Sequence, residues 1–421
     1  MRGAHDLVRF ATVGSVDDGK STLIGRLLLD THSAYEDQVR AMEHASRARG
    51  DEYTDLALLT DGLRAEREQG ITIDVAYRYF STSRRSFIIA DCPGHIEYTR
   101  NMVCGVSTAD VALLLVDARL GVLEQTKRHA FIASLLGVSH LTVCINKMDL
   151  VDYSESAYER IASEFTDFVT RLRFGDVTLI PVSALHGDNV FDRSDRMPWY
   201  AGPPLLYHLE HVHVASDRDL VDVRFPVQMV VRPRSSSHPD YRAYAGQVVG
   251  GVLRTGDDVV VLPSGTESRI ASIETHDGPV VEAFPPMSVS LRLTEHLDVS
   301  RGDLIARPHN RPRVVSEFEA MLCCLWDTEL VPDRPYGIRH TTRTSRAIIN
   351  SVRYRVDVET LHRDTKATSL RQNEIGRVQL RLTAPLFVDP YSKNRAMGSF
   401  LLVDLTDGST VAAGLVLDRG A

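Results

Sequence analysis

Gly14-Ser15-Val16-Asp17-Asp18-Gly19-Lys20-Ser21 is the stretch that decides how the first half of this 421-residue chain folds. A glycine at each end of the run, followed by Lys-Ser, gives the spacing of a loop whose backbone N–H groups turn inward around phosphates. Gly14 and Gly19 permit backbone angles that other residues resist. Such a loop needs a strand before it and a helix after it. Residues 7–13 read as the strand and residues 21–29 as the helix. Lys20 is expected to bridge the β- and γ-phosphates and Ser21 to place its hydroxyl on Mg²⁺. The whole run from Gly14 to Thr22 is expected to line the nucleotide.

Working outward, Asp91-Cys92-Pro93-Gly94-His95 follows the apolar run 87–90. Asp91 is expected to hold the magnesium through a water. Gly94 can present its backbone N–H to the γ-phosphate, and loss of that phosphate would release the loop. His95 is the candidate for orienting the attacking water, because phosphoryl transfer needs placement and charge stabilisation more than covalent help. Thr72, in Gln69-Gly70-Ile71-Thr72-Ile73, lies between the two phosphate motifs and is expected to ligate Mg²⁺ when GTP is present. By spacing alone it reads equally as a strand residue. Val16 and Ile71 are placed to form an apolar gate in front of His95.

Asn146-Lys147-Met148-Asp149 comes third, after the apolar run 141–145. Asp149 can accept hydrogen bonds from N1–H and the 2-amino group of guanine, which adenine does not offer, so the site would reject ATP. Asn146 is expected to tie the loops together and Lys147 to lay its stem on the ring. Ser183-Ala184-Leu185 could offer a backbone N–H to the guanine O6. A phosphate loop alone indicates only a nucleotide. The ordered trio indicates GTP, Mg²⁺ and a switch.

The rest of the first half alternates apolar runs at 111–116 and 177–182 with helical patterns at 125–136 and 157–172, which predicts an α/β domain with a mainly parallel sheet. A last helix is read at 205–211. After about residue 215 the pattern becomes short strands between turns, near 225–231, 245–253, 258–262, 268–275 and 289–293, as in a small barrel. A second such set follows at 317–326, 347–358, 376–382 and 399–405, with Asp407-Gly408 as its final hairpin. The expected domains are therefore 1–215, 216–310 and 311–421.

Composition sets limits. Hydrophobic content of 43% and charged content of 25% are those of a soluble globular protein. A net charge of −8 argues against a chain that coats nucleic acid. Five cysteines without finger-like spacing suggest reduced thiols in the cytoplasm. No run of about 18 apolar residues is present to span a membrane, and the N-terminus lacks the apolar core of a signal peptide.

The ordered motifs resemble the translational GTPase superfamily typified by elongation factor Tu, through Gly70-Ile71-Thr72 and Asp91 to His95. That resemblance strengthens the roles given to Thr72 and His95, and it implies two β-barrels after the P-loop domain. A narrower resemblance, to the large GTPase subunit of bacterial sulfate adenylyltransferase, rests on the runs 14–28, 60–77 and 91–102. It extends to Asp298–Asp303, Asn373–Arg377 and Asn394–Phe400. It implies a smaller, ATP pyrophosphatase-like partner subunit that makes adenosine 5′-phosphosulfate and pyrophosphate from ATP and sulfate. GTP hydrolysis on this chain would drive that reaction through a conformational cycle, and the adenylyl-transfer residues would lie on the partner. Some family members carry a fused kinase for adenosine 5′-phosphosulfate. With no second phosphate loop in this sequence, that activity is not expected here.

Some features invite plainer readings. Cys323-Cys324 sits in an apolar strand and reads as packing. His208, His211 and His213 read as a solvated face rather than a metal cluster, and the charged stretch 40–68 as a solvated helical part of the first switch. The competing functions are an elongation factor-like GTPase that binds aminoacyl-tRNA and a GTPase that only signals.

Overall fold

The computed structural model describes residues 6–33, 54, 56–59, 72, 74–214, 219–233 and 241–418, with isolated positions 37, 39, 40, 42 and 46. The chain divides into two units, Met1–Ser216 and Asp217–Ala421.

The first unit is built on six strands: β1 (Asp6–Val13), β2 (Ala76–Ser81), β3 (Arg85–Asp91), β4 (Val111–Asp117), β5 (His140–Asn146) and β6 (Asp176–Pro181). Their order is β2-β3-β1-β4-β5-β6, with β2 alone antiparallel to its neighbour. The sequence Val-Ala-Leu-Leu-Leu-Val-Asp of β4 is buried at every position, as both faces of a central parallel strand must be. Helices α1 (Lys20–Asp30), α2 (Thr99–Ser107), α3 (Glu124–Leu135), α4 (Glu155–Val169) and α5 (Leu205–His211) accompany the sheet. Burial of Leu23, Ile24 and Leu27 of α1 and of Leu205 and Leu209 of α5 against β-strand residues such as Phe10 and Leu113 forms one core. Arg85 caps the end of α5, donating to the carbonyls of Leu209 (3.1 Å) and Val212 (2.6 Å). Strand β2 was not among the expected strands. It is an edge strand whose Tyr77 and Tyr79 face outward, so its sequence shows no continuous apolar run.

The second unit contains two closed antiparallel sheets. The first comprises β7 (Arg224–Val231), β8 (Ala243–Gln247), β10 (Asp258–Leu262), β11 (Thr266–Thr275), β12 (Gly278–Val280), β14 (Ser288–Leu293) and β15 (Leu304–Ala306). Short β9 (Leu253–Arg254) pairs with β13 (Glu282–Ala283) beside it. The second comprises β16 (Arg313–Cys324), β17 (Pro335–His340), β18 (Arg343–Val356), β19 (Arg363–Asp364), β20 (Ile375–Val388), β21 (Ser399–Val403) and β22 (Thr410–Val416). Pairing of β10 with β11, and of β17 with β18, closes each sheet into a barrel, with short β12 and β19 left as edges outside the closed ring. The run 245–253, expected as one strand, breaks after Gln247. Gly251 turns there with φ 67, and a Cβ on it would press on Val223 at 2.5 Å.

The two barrels meet at Arg224, a buried guanidinium of which 1% is exposed. It donates to both carboxylate oxygens of Asp389 (2.7 and 3.1 Å) and to the carbonyls of Asn310 (2.8 Å) and Val223 (2.9 Å). Cys323 and Cys324 are buried on β16, in keeping with packing. The three histidines near 208–213 do not converge. His208 pairs with the Thr142 hydroxyl (2.9 Å), and His211 with Arg84 (2.8 Å). No metal-binding group of three His, Cys, Asp or Glu occurs among the described residues.

Candidate active site

The carboxyl ends of the parallel strands gather the motifs at one edge, where α/β sheets bind ligands. β1 runs into the phosphate loop, and α1 starts at Lys20, with Gly19 before it at φ 90. A Cβ on Gly19 would collide with the Asn146 carboxamide. Asp91 ends β3 opposite Thr12 of β1, whose hydroxyl donates to its carboxylate at 3.0 Å. Asp117 ends β4 opposite Asn146, which ends β5.

Lys20 is buried, and its ammonium folds over the loop to the carbonyls of Gly14 (2.9 Å) and Ser15 (2.7 Å). Burial pushes its pKa down, opposed by the carboxylates of Asp91 and Asp18. Gly94 lies directly on this arrangement. A Cβ there would stand 2.5 Å from the Gly14 carbonyl and 2.6 Å from the Lys20 ammonium, so only glycine lets the two loops approach so closely. Within the loop, the Asp18 carboxylate accepts from the Ser15 N–H at 2.6 Å, while burial raises its pKa. Asp17 is left-handed at φ 67 and its carbonyl accepts from Lys147. Ser21 lies in the first turn of α1, with Thr22 next to it.

Cys92 is buried behind the switch, and burial drives its thiol well up, so it is a neutral filler. Its sulfur lies where a side chain on Gly105 would stand. Pro93 carries the chain from it to Gly94. His95 is about half exposed; its Nδ1 accepts from the Glu97 N–H at 3.4 Å and lies 3.9 Å from the Glu97 carboxylate. Thr72 is half-buried, and no hydrogen bond joins it to Ser21 or Asp91 among the described residues. Ile71 and most of the charged stretch 40–68 lie outside the described residues, so the gate drawn for Val16 and Ile71 does too.

The loops expected to read the base are latched to the phosphate loop. Asn146 donates to the Asp18 carbonyl (2.8 Å) and accepts from the Ala184 N–H (3.0 Å). The Ser183 hydroxyl donates to one oxygen of Asp149 at 2.6 Å. The Ser183 N–H goes to the Asp188 carbonyl at 3.1 Å. With Ala184 committed to Asn146, the Leu185 N–H is the one of the three that has no partner among the described residues. Met148 is buried and begins the turn that carries Asp149.

Three groups escaped the sequence reading. Arg26 of α1 donates to the carbonyls of Ala184 (3.2 Å) and Leu185, fixing the base loop from below. Asp117, buried, accepts from Lys147 (2.9 Å) and from three nitrogens of Arg119, two of the guanidinium (2.6 and 3.0 Å) and the backbone N–H (2.9 Å). Burial raises its pKa, but these hydrogen bonds outweigh that and hold it down at about 2. Gln125 of α3 reaches the Gly94 carbonyl at 3.1 Å. An aspartate ending an all-apolar strand is a signal that could have marked Asp117. Nothing in the spacing marks Arg26 or Gln125.

A glycine-bounded loop between a strand and a helix, closed on a buried ammonium with Gly94 pressed against it, fits a polyphosphate. The Asp91 carboxylate and the Ser21 hydroxyl are hard oxygen donors of the kind that magnesium takes. The fold and site define a GTPase of the translational type: the chain matches the elongation factor Tu GTP binding domain over residues 5–225, and it belongs to that family. Residues 317–417 match the GTP-eEF1A C-terminal domain-like family. Within the superfamily it belongs with subunit 1 of sulfate adenylyltransferase. It is 52% identical to Sulfate adenylyltransferase subunit 1 of Bacteroides fragilis, over 98% of this chain and 86% of that protein. It is 50% identical to the same subunit of Bacteroides thetaiotaomicron, over 98% of this chain and 87% of that protein. It is also 59% identical to the Bifunctional enzyme CysN/CysC of Mycobacterium tuberculosis, over 98% of this chain and 67% of that protein. The aminoacyl-tRNA alternative is not favoured. No described helix is long and apolar enough to cross a membrane.

Proposed function

We propose that this chain is the GTP-hydrolysing subunit of a sulfate adenylyltransferase of sulfate assimilation. It would couple GTP hydrolysis to formation of adenosine 5′-phosphosulfate and pyrophosphate from ATP and sulfate on a smaller, ATP pyrophosphatase-like subunit. The observation that carries the reading is the junction of Gly94 with Lys20 and Gly14, beside a base loop latched through Asn146. A γ-phosphate seated at Lys20 draws the ammonium off the loop carbonyls and meets the Gly94 backbone. Departure of that phosphate frees both. The phosphate's presence is thereby converted into a position of the segment 91–95, and a partner that binds the two positions differently is driven by the change.

The residues act as follows. Asp149 reads guanine with the carboxylate oxygen that Ser183 leaves open, and Leu185 supplies the N–H for O6. Lys147, held by Asp117 and the Asp17 carbonyl, lays its stem beside the base. His95 orients a water toward the γ-phosphorus; the water oxygen bonds to phosphorus, the bond to the β–γ bridging oxygen breaks, and GDP and phosphate leave. Ser21, Thr72 and Asp91 would hold Mg²⁺, which supplies charge neutralisation at the phosphate oxygens. Five free cysteines and reactants such as ATP and GTP suit the cytoplasm.

The test is to purify the chain with its small subunit and follow GTP hydrolysis. Stimulation by ATP plus sulfate, with adenosine 5′-phosphosulfate formed only while GTP is consumed, is the expected result. Absence of GTP and GDP binding in magnesium buffer would overturn the reading, and stimulation by ribosomes instead would redirect it.

A further inference from the structure

We infer that Gln125 is a positioning residue for the catalytic segment, fixing the Gly94–His95 peptide so that His95 faces the site of water attack. This rests on the GTPase reading above and assigns the device that aims its histidine. The carbonyl of Gly94 and the N–H of His95 belong to one planar peptide. Holding the carbonyl therefore sets the direction in which the chain enters His95. Gln125, on the first turn of α3, donates to that carbonyl at 3.1 Å. Its carboxamide nitrogen is also 3.0 Å from His129 Nε2, one turn further along the helix. An amide nitrogen has two hydrogens, so one goes to each acceptor.

The second bond requires a lone pair on His129 Nε2. His129 is 2% exposed, and its Nδ1 has no partner among the described residues. Burial, with the nearby cations Lys20 and Arg128, pushes its pKa down to about 3. The ring is thus neutral at any working pH, with its proton on Nδ1 and an acceptor turned to Gln125. A charged ring would set N–H against N–H and release the carboxamide. His95 itself is about half exposed; its Nδ1 accepts from the Glu97 N–H at 3.4 Å and its ring centroid lies 6.0 Å from that of Tyr98, so its local contacts come from the same short segment, Ile96–Tyr98, that follows it. Gln125 supplies a fixed point on the peptide before it, anchored to a helix rather than to the switch.

The test uses the full chain with its small subunit, in single-turnover GTP hydrolysis, with Gln125→Leu and Gln125→Glu. Leucine keeps bulk and loses the donor. Glutamate keeps the shape and sets an acceptor against the Gly94 carbonyl. Both variants are expected to hydrolyse GTP about tenfold more slowly, the equivalent of about 1.4 kcal/mol, with GDP affinity within twofold of the unmodified chain. Gln125→Glu is expected to be at least as slow as Gln125→Leu, whereas a packing role predicts near-normal rates for the isosteric glutamate. Rates within twofold of the unmodified chain for both variants, while His95→Ala is slow, would overturn the inference and leave the GTPase reading intact. So would a loss of GDP affinity as large as the loss of rate, which marks a structural role. An unmodified chain that hydrolyses no GTP would overturn the proposed function, and this inference with it.

Discussion

Replacing Asn146 by alanine tests the latch between the two halves of the nucleotide site. Its carboxamide donates to the Asp18 carbonyl and accepts from the Ala184 N–H, and all three residues are buried. Alanine leaves one backbone acceptor and one backbone donor without partners. Each such orphan costs about 1–3 kcal/mol, or about 2–6 kcal/mol together. If the two loops part and take water in the nucleotide-free variant, the melting temperature of that form should move little. Binding a guanine nucleotide requires both loops in register, so the cost surfaces there. Taking the lower figure of about 2 kcal/mol, GDP affinity should fall at least about 30-fold. Titration with a fluorescent GDP analogue, alongside melting curves with and without GDP, measures both quantities. A GDP affinity within threefold of the unmodified chain would refute the latch, and a collapse of the nucleotide-free form would show that Asn146 holds the fold instead.

Asp149→Asn should exchange guanine for xanthine: Asn Oδ1 keeps the Ser183 hydrogen bond and its amide faces the base. Losing two charged hydrogen bonds, each about 1.5–3 kcal/mol, should weaken GTP binding at least about 100-fold, and unchanged GTP preference over XTP would remove Asp149 from the base site. Arg224→Met should destabilise the second unit by about 3–5 kcal/mol, because Asp389 is left buried and unpaired. That corresponds to a melting temperature lower by roughly 6–20 °C. The double variant Arg224→Met/Asp389→Leu should recover most of it, and an unchanged melting curve for the single variant would sink the argument. The carboxyl of Asp117, held at about 2 against an ordinary 3.8, makes the unfolded chain bind more protons than the folded one between those values. Its contribution is therefore complete above about pH 4 and is lost as pH falls through about 2. Urea midpoints from pH 5 to 2 should fall less steeply for Asp117→Asn than for the unmodified chain.

The amino-acid sequence by itself determined the three nucleotide motifs, their order and the alternation of strand and helix between them. Those signals are local: a glycine that must turn, a lysine one step on, an apolar run long enough to be a strand. It also carried the change to short strands after about residue 215. It did not carry β2, whose outward tyrosines hide an edge strand, or β17, which pairs with β18 and lies in an arginine-rich stretch. Only the tertiary structure decided which groups hold the motifs in place. Arg26 reaches across 158 positions of sequence to Ala184, and Gln125 across 31 to Gly94. Asp117 comes under Lys147 because β4 and β5 are paired in register. These partners are set by the packing of strands and helices far apart in the chain, and a side chain whose role is to hold another leaves no spacing of its own to read.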